Sequence, residues 1–134
     1  MAGEGYNRKD EMRKQNLEGL PRAFKFALDG LWLAFTKQRN FQIHFTIAFL
    51  VLLAGVILVD SAVEITILIF AVVLGLVAEM LNTAVEELAD VVSPGYNAKV
   101  KVAKDVAAGM VLLSSVGLAL VGLVILVPPL LALF

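Results

Sequence analysis

Three long apolar segments constrain this sequence more than any other feature. Residues 41–59 form a run of 19 residues without a formal charge, and residues 106–134 form another run of 29. A helix needs about 20 apolar residues to cross the ~30 Å hydrocarbon core of a bilayer, so both runs can span it. Because 60% of the 134 residues are hydrophobic, a soluble domain of this size could not bury them, and lipid is the predicted solvent.

The middle segment is apolar for only 14 residues, 65–78, which is too short to span a membrane alone. Its helix must therefore continue through a polar stretch to about residue 92, where the sequence Ser93-Pro94-Gly95 breaks it. The predicted fold is an all-α integral membrane protein with three transmembrane helices. The predicted spans are residues 41–59, 62–92 and 98–127.

Residues 17–37 precede the first span and have the period of an amphipathic helix. With Trp32 as an anchor, this N-terminal helix is predicted to lie at the membrane interface, and packing against other protein is the alternative. Residues 1–16 are polar and are predicted to form a flexible cytosolic tail, which leaves 17–134 as a single membrane domain. The apolar face of the interfacial helix consists of Leu20, Phe24, Leu28, Leu31 and Phe35.

The basic residues predict the orientation of the chain. In a three-span arrangement, eight of the eleven Lys and Arg residues precede the first span, and the other three lie between the second span and the uncharged run 106–134. The positive-inside rule therefore predicts a multi-pass protein of the plasma (inner) membrane. Its N-terminus and the loop 93–104 face the cytosol, and its C-terminus lies outside. The polar half of the second span then lies on the cytosolic side, where nucleotides are.

The polar half of the second span carries a stripe of acidic and amide side chains. At 100° per residue, Glu79, Asn82, Glu86 and Asp90 fall within about 80° of one another, whereas Glu87 lies beside them. Ionisable residues in membrane helices are costly and by default mark a site. Glu79 lies deepest and is a candidate general base, while Glu86 and Asp90 are oxygen ligands that suit Mg²⁺. The alternative is a solvated helix end, above all for Glu87 and Asp90.

Basic residues return to the same membrane face at the start of the third span. Lys104 near a helix start suits a phosphate, whereas Lys99 and Lys101 are predicted to contact lipid headgroups. A base, metal ligands and a cation are the parts that phosphoryl transfer needs. The sequence has no P-loop, GxGxxG, HRD or DFG motif, so any nucleotide site is built otherwise. His44, the single histidine, is predicted to be structural.

Three motifs resemble those of a known family. Glu79–Glu86 reads EMLNTAVE and looks like the Glu-x-x-Asn-Ser/Thr-Ala-x-Glu signature of the prokaryotic diacylglycerol kinase and undecaprenol kinase family. Ala103–Gly109 reads AKDVAAG and resembles that family's second motif. Arg39–His44 reads RNFQIH and resembles a segment of the undecaprenol kinase branch. The order and spacing of the motifs agree from about Leu20 to Pro129.

The resemblance implies a homotrimer with sites shared between subunits, and transfer of the γ-phosphate of Mg-ATP to a lipid alcohol. Glu79 would be the general base on the lipid hydroxyl, and Asn82 would help to position the reacting groups. Glu86 and Gln38 would hold Mg²⁺, although Gln38 stands where the family often has Glu. Asn97 stands where the family usually has His. The implied nucleotide-binding residues are Asn82, Asp90, Gly95, Tyr96, Asn97, Lys104 and Asp105.

Several functions remain open at this point. Undecaprenol is the predicted lipid because of the Arg39–His44 segment, and diacylglycerol, which would give phosphatidic acid, is the alternative within the same chemistry. A non-enzymatic membrane subunit or small transporter, whose carboxylates bind a proton or a cation, is the alternative from another class. Small residues would allow close helix approach and a homo-oligomer, and no nucleic acid partner is expected. These small residues are Gly109, Ser114, Ser115, Gly117 and Gly122.

Overall fold

A computed structural model describes the backbone of residues 4–134 and the side chains of residue 19 and of residues 21–134. Over this range the chain is entirely helical, and the prediction of an all-α protein with three spanning helices is confirmed. The last three helices are each long and apolar enough to cross a membrane. The four helices are α1 (Glu4–Lys37), α2 (Arg39–Leu58), α3 (Ala62–Val92) and α4 (Ala98–Leu131).

Helix α1 forms a unit of its own, separate from the unit that holds the other three helices. It begins at Glu4, well before residue 17, so most of the segment predicted as a flexible tail is helical. Residues 1–3 of that tail, and the side chains of residues 1–18 and 20, lie outside the described part of the chain. Phe24 and Trp32 are exposed on α1. The assignment of this helix to the membrane interface stays a prediction.

Short polar caps separate the three spanning helices. Ser61 precedes α3, and its hydroxyl accepts a hydrogen bond from the Glu64 backbone N–H at 3.4 Å. Asn97 precedes α4 in the same way, and its side-chain oxygen accepts hydrogen bonds from the first turn of that helix. Such residues satisfy N–H groups that have no partner within the helix. The helix boundaries therefore follow local sequence chemistry.

Helix α3 packs against both α2 and α4. Helix α3 lies close to α2 at Gly55, where a Cβ atom would lie 2.9 Å from a Leu68 methyl carbon. Leu68 is fully buried and forms a small apolar cluster with Val59 and Ile125. These residues lie near the end of α2, the start of α3 and the end of α4, so the apolar core is at the end opposite the polar stripe.

Most large apolar side chains point away from this narrow core. Phe70, for example, has 76% of its surface exposed in the single chain, as expected where lipid or another copy covers it. The glycines predicted to permit close helix approach do not do so within the chain. A Cβ atom at Gly109, Gly117 or Gly122 would meet nothing within 4 Å. The tight contact is made by Gly55 instead, whereas Gly109 is exposed and Gly117 and Gly122 line open grooves beside α3 and α2.

Candidate active site

The buried face of α3 changes from apolar to polar along its length. Glu79 and Asn82 continue the face that Leu68, Val72 and Gly75 bury, and they are only 2% and 5% exposed. Glu86 is half-buried on the same face. A buried carboxylate and a buried amide are costly in an apolar setting unless they serve as partners or ligands. Burial therefore singles out this pair from the other polar residues of α3.

His44 on α2 faces the carboxylate of Glu79. The distance from His44 Nε2 to Glu79 Oε2 is 3.8 Å, and 29% of the histidine side chain is exposed compared with 3% of the glutamate. Sequence reasoning missed this contact and gave His44 a structural role. A signal was present, because His44 shares the helical phase of Phe41, Ala48 and Gly55, the buried positions of α2.

Asn82 links the buried and half-buried parts of the stripe. Its side-chain nitrogen donates a hydrogen bond to Glu86 Oε1 at 3.1 Å. Its side-chain oxygen is buried and has no hydrogen-bond partner in the part of the chain that the structure describes. An unpaired buried oxygen of this kind costs about 1–3 kcal/mol, so it is a natural place for a ligand that supplies a donor or a cation.

Gln38 precedes α2 and reaches the polar end of α3. Its side-chain nitrogen donates a hydrogen bond to Glu87 Oε1 at 3.2 Å. The structure therefore gives Gln38 a contact with Glu87, the residue that helical phase had set aside as solvated. Two adjacent carboxylates, Glu86 and Glu87, then receive one amide each, from Asn82 on the same helix and from Gln38 before α2.

An ion pair connects the end of α3 with the start of α4. Lys104 Nζ lies 2.6 Å from Asp90 Oδ1, so the structure brings these two predicted nucleotide-binding residues together. Asp105 instead pairs with Lys101 one turn earlier on the same helix, at 2.5 Å. Exposed pairs contribute little stability, so both cations can be recruited by a stronger anion.

The loop between α3 and α4 is open to solvent. Gly95, Tyr96 and Asn97 are all exposed, and Tyr96 has 87% of its surface free. The Asn97 side-chain oxygen is already occupied, because it accepts hydrogen bonds from Lys99 N at 2.9 Å and Val100 N at 3.4 Å. What remains for a ligand at Asn97 is therefore its side-chain N–H₂ group.

Within the described residues, no cluster of three or more His, Asp, Glu or Cys side chains could hold a metal alone. Mg²⁺ does not need one, since it usually takes one or two carboxylates plus phosphate oxygens and water. The unpartnered Asn82 oxygen lies in the residue that contacts Glu86, and among the described residues the charge of Lys104 acts on the Glu86 carboxylate without a direct ion pair. This oxygen donor set fits Mg²⁺.

An apolar groove of about 550 Å³ runs between α2 and α4. His44 is the lining residue nearest the start of α2, and Val127 lines the groove near the far end of α4. The groove therefore extends along the spanning helices and meets the polar site at His44, behind which Glu79 is buried. A second groove, of about 590 Å³, lies between α3 and α4.

These features define the chain as a three-span membrane protein with a carboxylate and amide site on the buried face of its middle span. A sequence model of the family described as prokaryotic diacylglycerol kinase matches residues 25–126, which include every candidate site residue. The chain belongs to the prokaryotic diacylglycerol kinase family, and the predicted resemblance is confirmed.

Two characterised relatives carry kinase names. The chain is 39% identical over 112 residues to a diacylglycerol kinase of Synechocystis sp., a match that covers 83% of this chain and 64% of the relative. It is 36% identical over 110 residues to an undecaprenol kinase of Bacillus subtilis, covering 81% of this chain and 89% of the relative. The chain thus matches less than two thirds of the cyanobacterial relative and most of the Bacillus one.

Proposed function

We propose that the protein is an ATP-dependent lipid kinase that transfers the γ-phosphate of Mg-ATP to a membrane lipid alcohol. The observation that carries this proposal is the buried carboxylate of Glu79, which lies 3.8 Å from His44 of the apolar groove and shares a face of α3 with the more exposed Glu86. A lipid kinase needs such a group, because its acceptor hydroxyl arrives from lipid and its donor phosphate arrives from water. Membership of the family and the kinase names of both relatives support the same reaction.

In the proposed mechanism Glu79 is the general base. It takes the proton of the lipid hydroxyl while the hydroxyl oxygen bonds to the γ-phosphorus and the bond to the bridging oxygen breaks, which leaves ADP. Asn82 holds the Glu86 carboxylate through its hydrogen bond and presents its free oxygen to the reacting groups. Glu86 and Gln38 would hold Mg²⁺, which when bound neutralises phosphate charge.

The proposed nucleotide site extends from the stripe to the loop and the start of α4. Lys104 binds phosphate oxygens, and Asp90 holds the lysine in place until the nucleotide competes for it. The Asn97 amide, Gly95 and Tyr96 lie along the nucleotide, with Asp105 near the ribose or the adenine. The charges of Asp90, Lys104 and Asp105 support this assignment, because all three residues lie where the end of α3 meets the start of α4.

Undecaprenol is the lipid we propose, with its chain in the groove between α2 and α4. The Arg39–His44 segment resembles the undecaprenol kinase branch. The Bacillus relative is named undecaprenol kinase, and the match covers most of its length. Diacylglycerol is the second candidate, since the Synechocystis relative is named for it. Both lipids present an alcohol on a long apolar chain, so the site chemistry is common to both.

We further propose a homotrimer in the plasma membrane, with α1 at the cytosolic interface and the C-terminus outside. Gly109 on α4 supports this assembly, because it is exposed within the single chain, nothing lies within 4 Å of a Cβ placed there, and small residues favour helix contacts in lipid. The distribution of all eleven basic residues supports the orientation. A non-enzymatic subunit or transporter stays as the competing class.

The test is phosphorylation of lipids by the purified protein in mixed micelles with ATP, Mg²⁺ and labelled phosphate. Undecaprenol should be labelled faster than diacylglycerol when both are offered at equal concentration. Glu79→Gln should remove turnover, whereas Glu64→Gln, an exposed glutamate at the other end of α3, should keep it. Absence of labelling with every lipid alcohol would reject the kinase in favour of the transporter class.

A further inference from the structure

His44 is the polar neighbour of the proposed base. Within the described part of the chain, His44 is the one basic side chain within 4 Å of the Glu79 carboxylate, with its Nε2 3.8 Å from Glu79 Oε2. A carboxylate that is 98% buried loses its hydration and needs a donor or a cation to remain ionised. Glu79 must be ionised to act as a base, so its partner bears directly on the proposed reaction.

The position of His44 is fixed by packing on one side and free on the other. Its helical face carries Phe41 and Ala48, both buried against the rest of the bundle. The imidazole itself is partly exposed and lines the groove between α2 and α4. The side chain thus has one edge toward Glu79 and another toward the groove.

Among the described residues, few other charged groups act on the Glu79 carboxylate. On α3 the charged neighbour of Glu79 is Glu86, which repels a second negative charge and cannot orient it. The α4 wall of the groove near His44 consists of uncharged side chains such as Ser115 and Leu118. Among the described residues, His44 is therefore the group placed to hold the carboxylate.

We propose that His44 is a positioning residue for the phosphoryl transfer. Its Nε2–H donates to Glu79 Oε2 and turns the other carboxylate oxygen toward the lipid hydroxyl at the His44 end of the groove. The 3.8 Å separation shortens to a hydrogen bond in the loaded enzyme, as is common for catalytic pairs that are long without substrate. His44 keeps its proton, and Glu79 takes the proton of the hydroxyl. This inference rests on the proposed lipid kinase function.

A matched pair of substitutions separates positioning from packing. His44→Gln keeps an N–H donor, whereas His44→Leu fills a similar volume without one. A hydrogen bond to a charged group is worth roughly 10- to 100-fold in rate, so we expect kcat to fall by about that factor in His44→Leu. His44→Gln should recover most of the rate, and the KM for ATP should stay unchanged in both.

A double substitution tests whether His44 acts through Glu79. If it does, His44→Leu should slow a Glu79→Asp protein little further, because the shorter carboxylate has already withdrawn from His44. Thr46→Val is the control on α2, since the Thr46 hydroxyl donates a hydrogen bond within its own helix, at 2.8 Å from the Gln42 carbonyl oxygen. That variant should retain the wild-type rate.

The outcomes divide cleanly. An inactive wild-type protein would overturn the proposed function itself. An active wild-type protein with an inactive Glu79→Gln variant, but with kcat in His44→Leu within twofold of wild type, would overturn only the role of His44. Equal losses in the Gln and Leu variants would also overturn it, because a packing role does not depend on the donor.

Discussion

Replacing Asn82 by alanine tests how the polar stripe is held together. The substitution removes the 3.1 Å hydrogen bond to Glu86, which is worth about 1.5–3 kcal/mol because its acceptor is charged. It also removes the buried oxygen without a partner, which costs the folded protein about 1–3 kcal/mol. The two changes have opposite signs and similar size, so we expect the free energy of unfolding to change by less than ~1 kcal/mol.

The same substitution should weaken the response to Mg²⁺. Glu86 loses the group that orients its carboxylate, and loss of such an outer partner typically lowers metal affinity about 10- to 100-fold. The Mg²⁺ concentration for half-maximal lipid phosphorylation should rise by that factor. Denaturant unfolding in micelles gives the stability, and a Mg²⁺ titration at fixed ATP gives the metal response.

Thr66→Ala is the matched control, because Thr66 is an exposed α3 residue whose hydroxyl bonds to its own helix, at 2.8 Å from the Ala62 carbonyl oxygen. It should change neither quantity. An unchanged Mg²⁺ response in Asn82→Ala would refute the idea that Asn82 orients a metal ligand. A loss of stability above ~3 kcal/mol would show that the free oxygen has a partner in the folded protein.

Three further predictions follow from contacts between helices. Gln38→Glu places a second carboxylate against Glu87, so the melting temperature should fall in EDTA and recover with Mg²⁺. An equal melting temperature in EDTA and in Mg²⁺ would contradict the metal role. Lys104→Gln should raise the KM for ATP about tenfold with little change in melting temperature, because its ion pair is exposed; an unchanged KM would exclude a phosphate contact. Gly55→Leu should cost about 1–3 kcal/mol through collision with Leu68, whereas Gly30→Ala on α1, with nothing nearby, should be neutral or stabilising in denaturant unfolding.

The helices themselves could be predicted closely, since they follow from properties of single segments. Residues 62–92 were predicted as one span, and α3 occupies Ala62–Val92. Hydropathy alone would not include the polar end of that span, because it carries too many charges. The short apolar run, which needed extension, and the break at Ser93-Pro94-Gly95 predicted where the span ends. The start of α1 was missed because a polar, charged segment has no hydrophobic period from which to predict a helix.

The candidate site could be predicted only in part. Helical phase places Glu79, Asn82 and Glu86 on one face, and the structure buries the first two in that order of depth. Helical phase could not show that the side-chain oxygen of Asn97 caps α4, because Asn suits a cap and a ligand equally well. Helical phase also set aside Glu87, which is contacted by Gln38, the residue before α2.

By itself the sequence determined the solvent, the number of spans, the polar stripe of α3 and the family. Each of these depends on composition, on period along one helix or on a local motif. Only the tertiary structure decided which side chains meet: His44 with Glu79, Gln38 with Glu87, and Lys104 with Asp90. The physical reason is that helix rotation is set by side-chain packing, here by the close approach of Gly55 to Leu68, and no single segment encodes that contact.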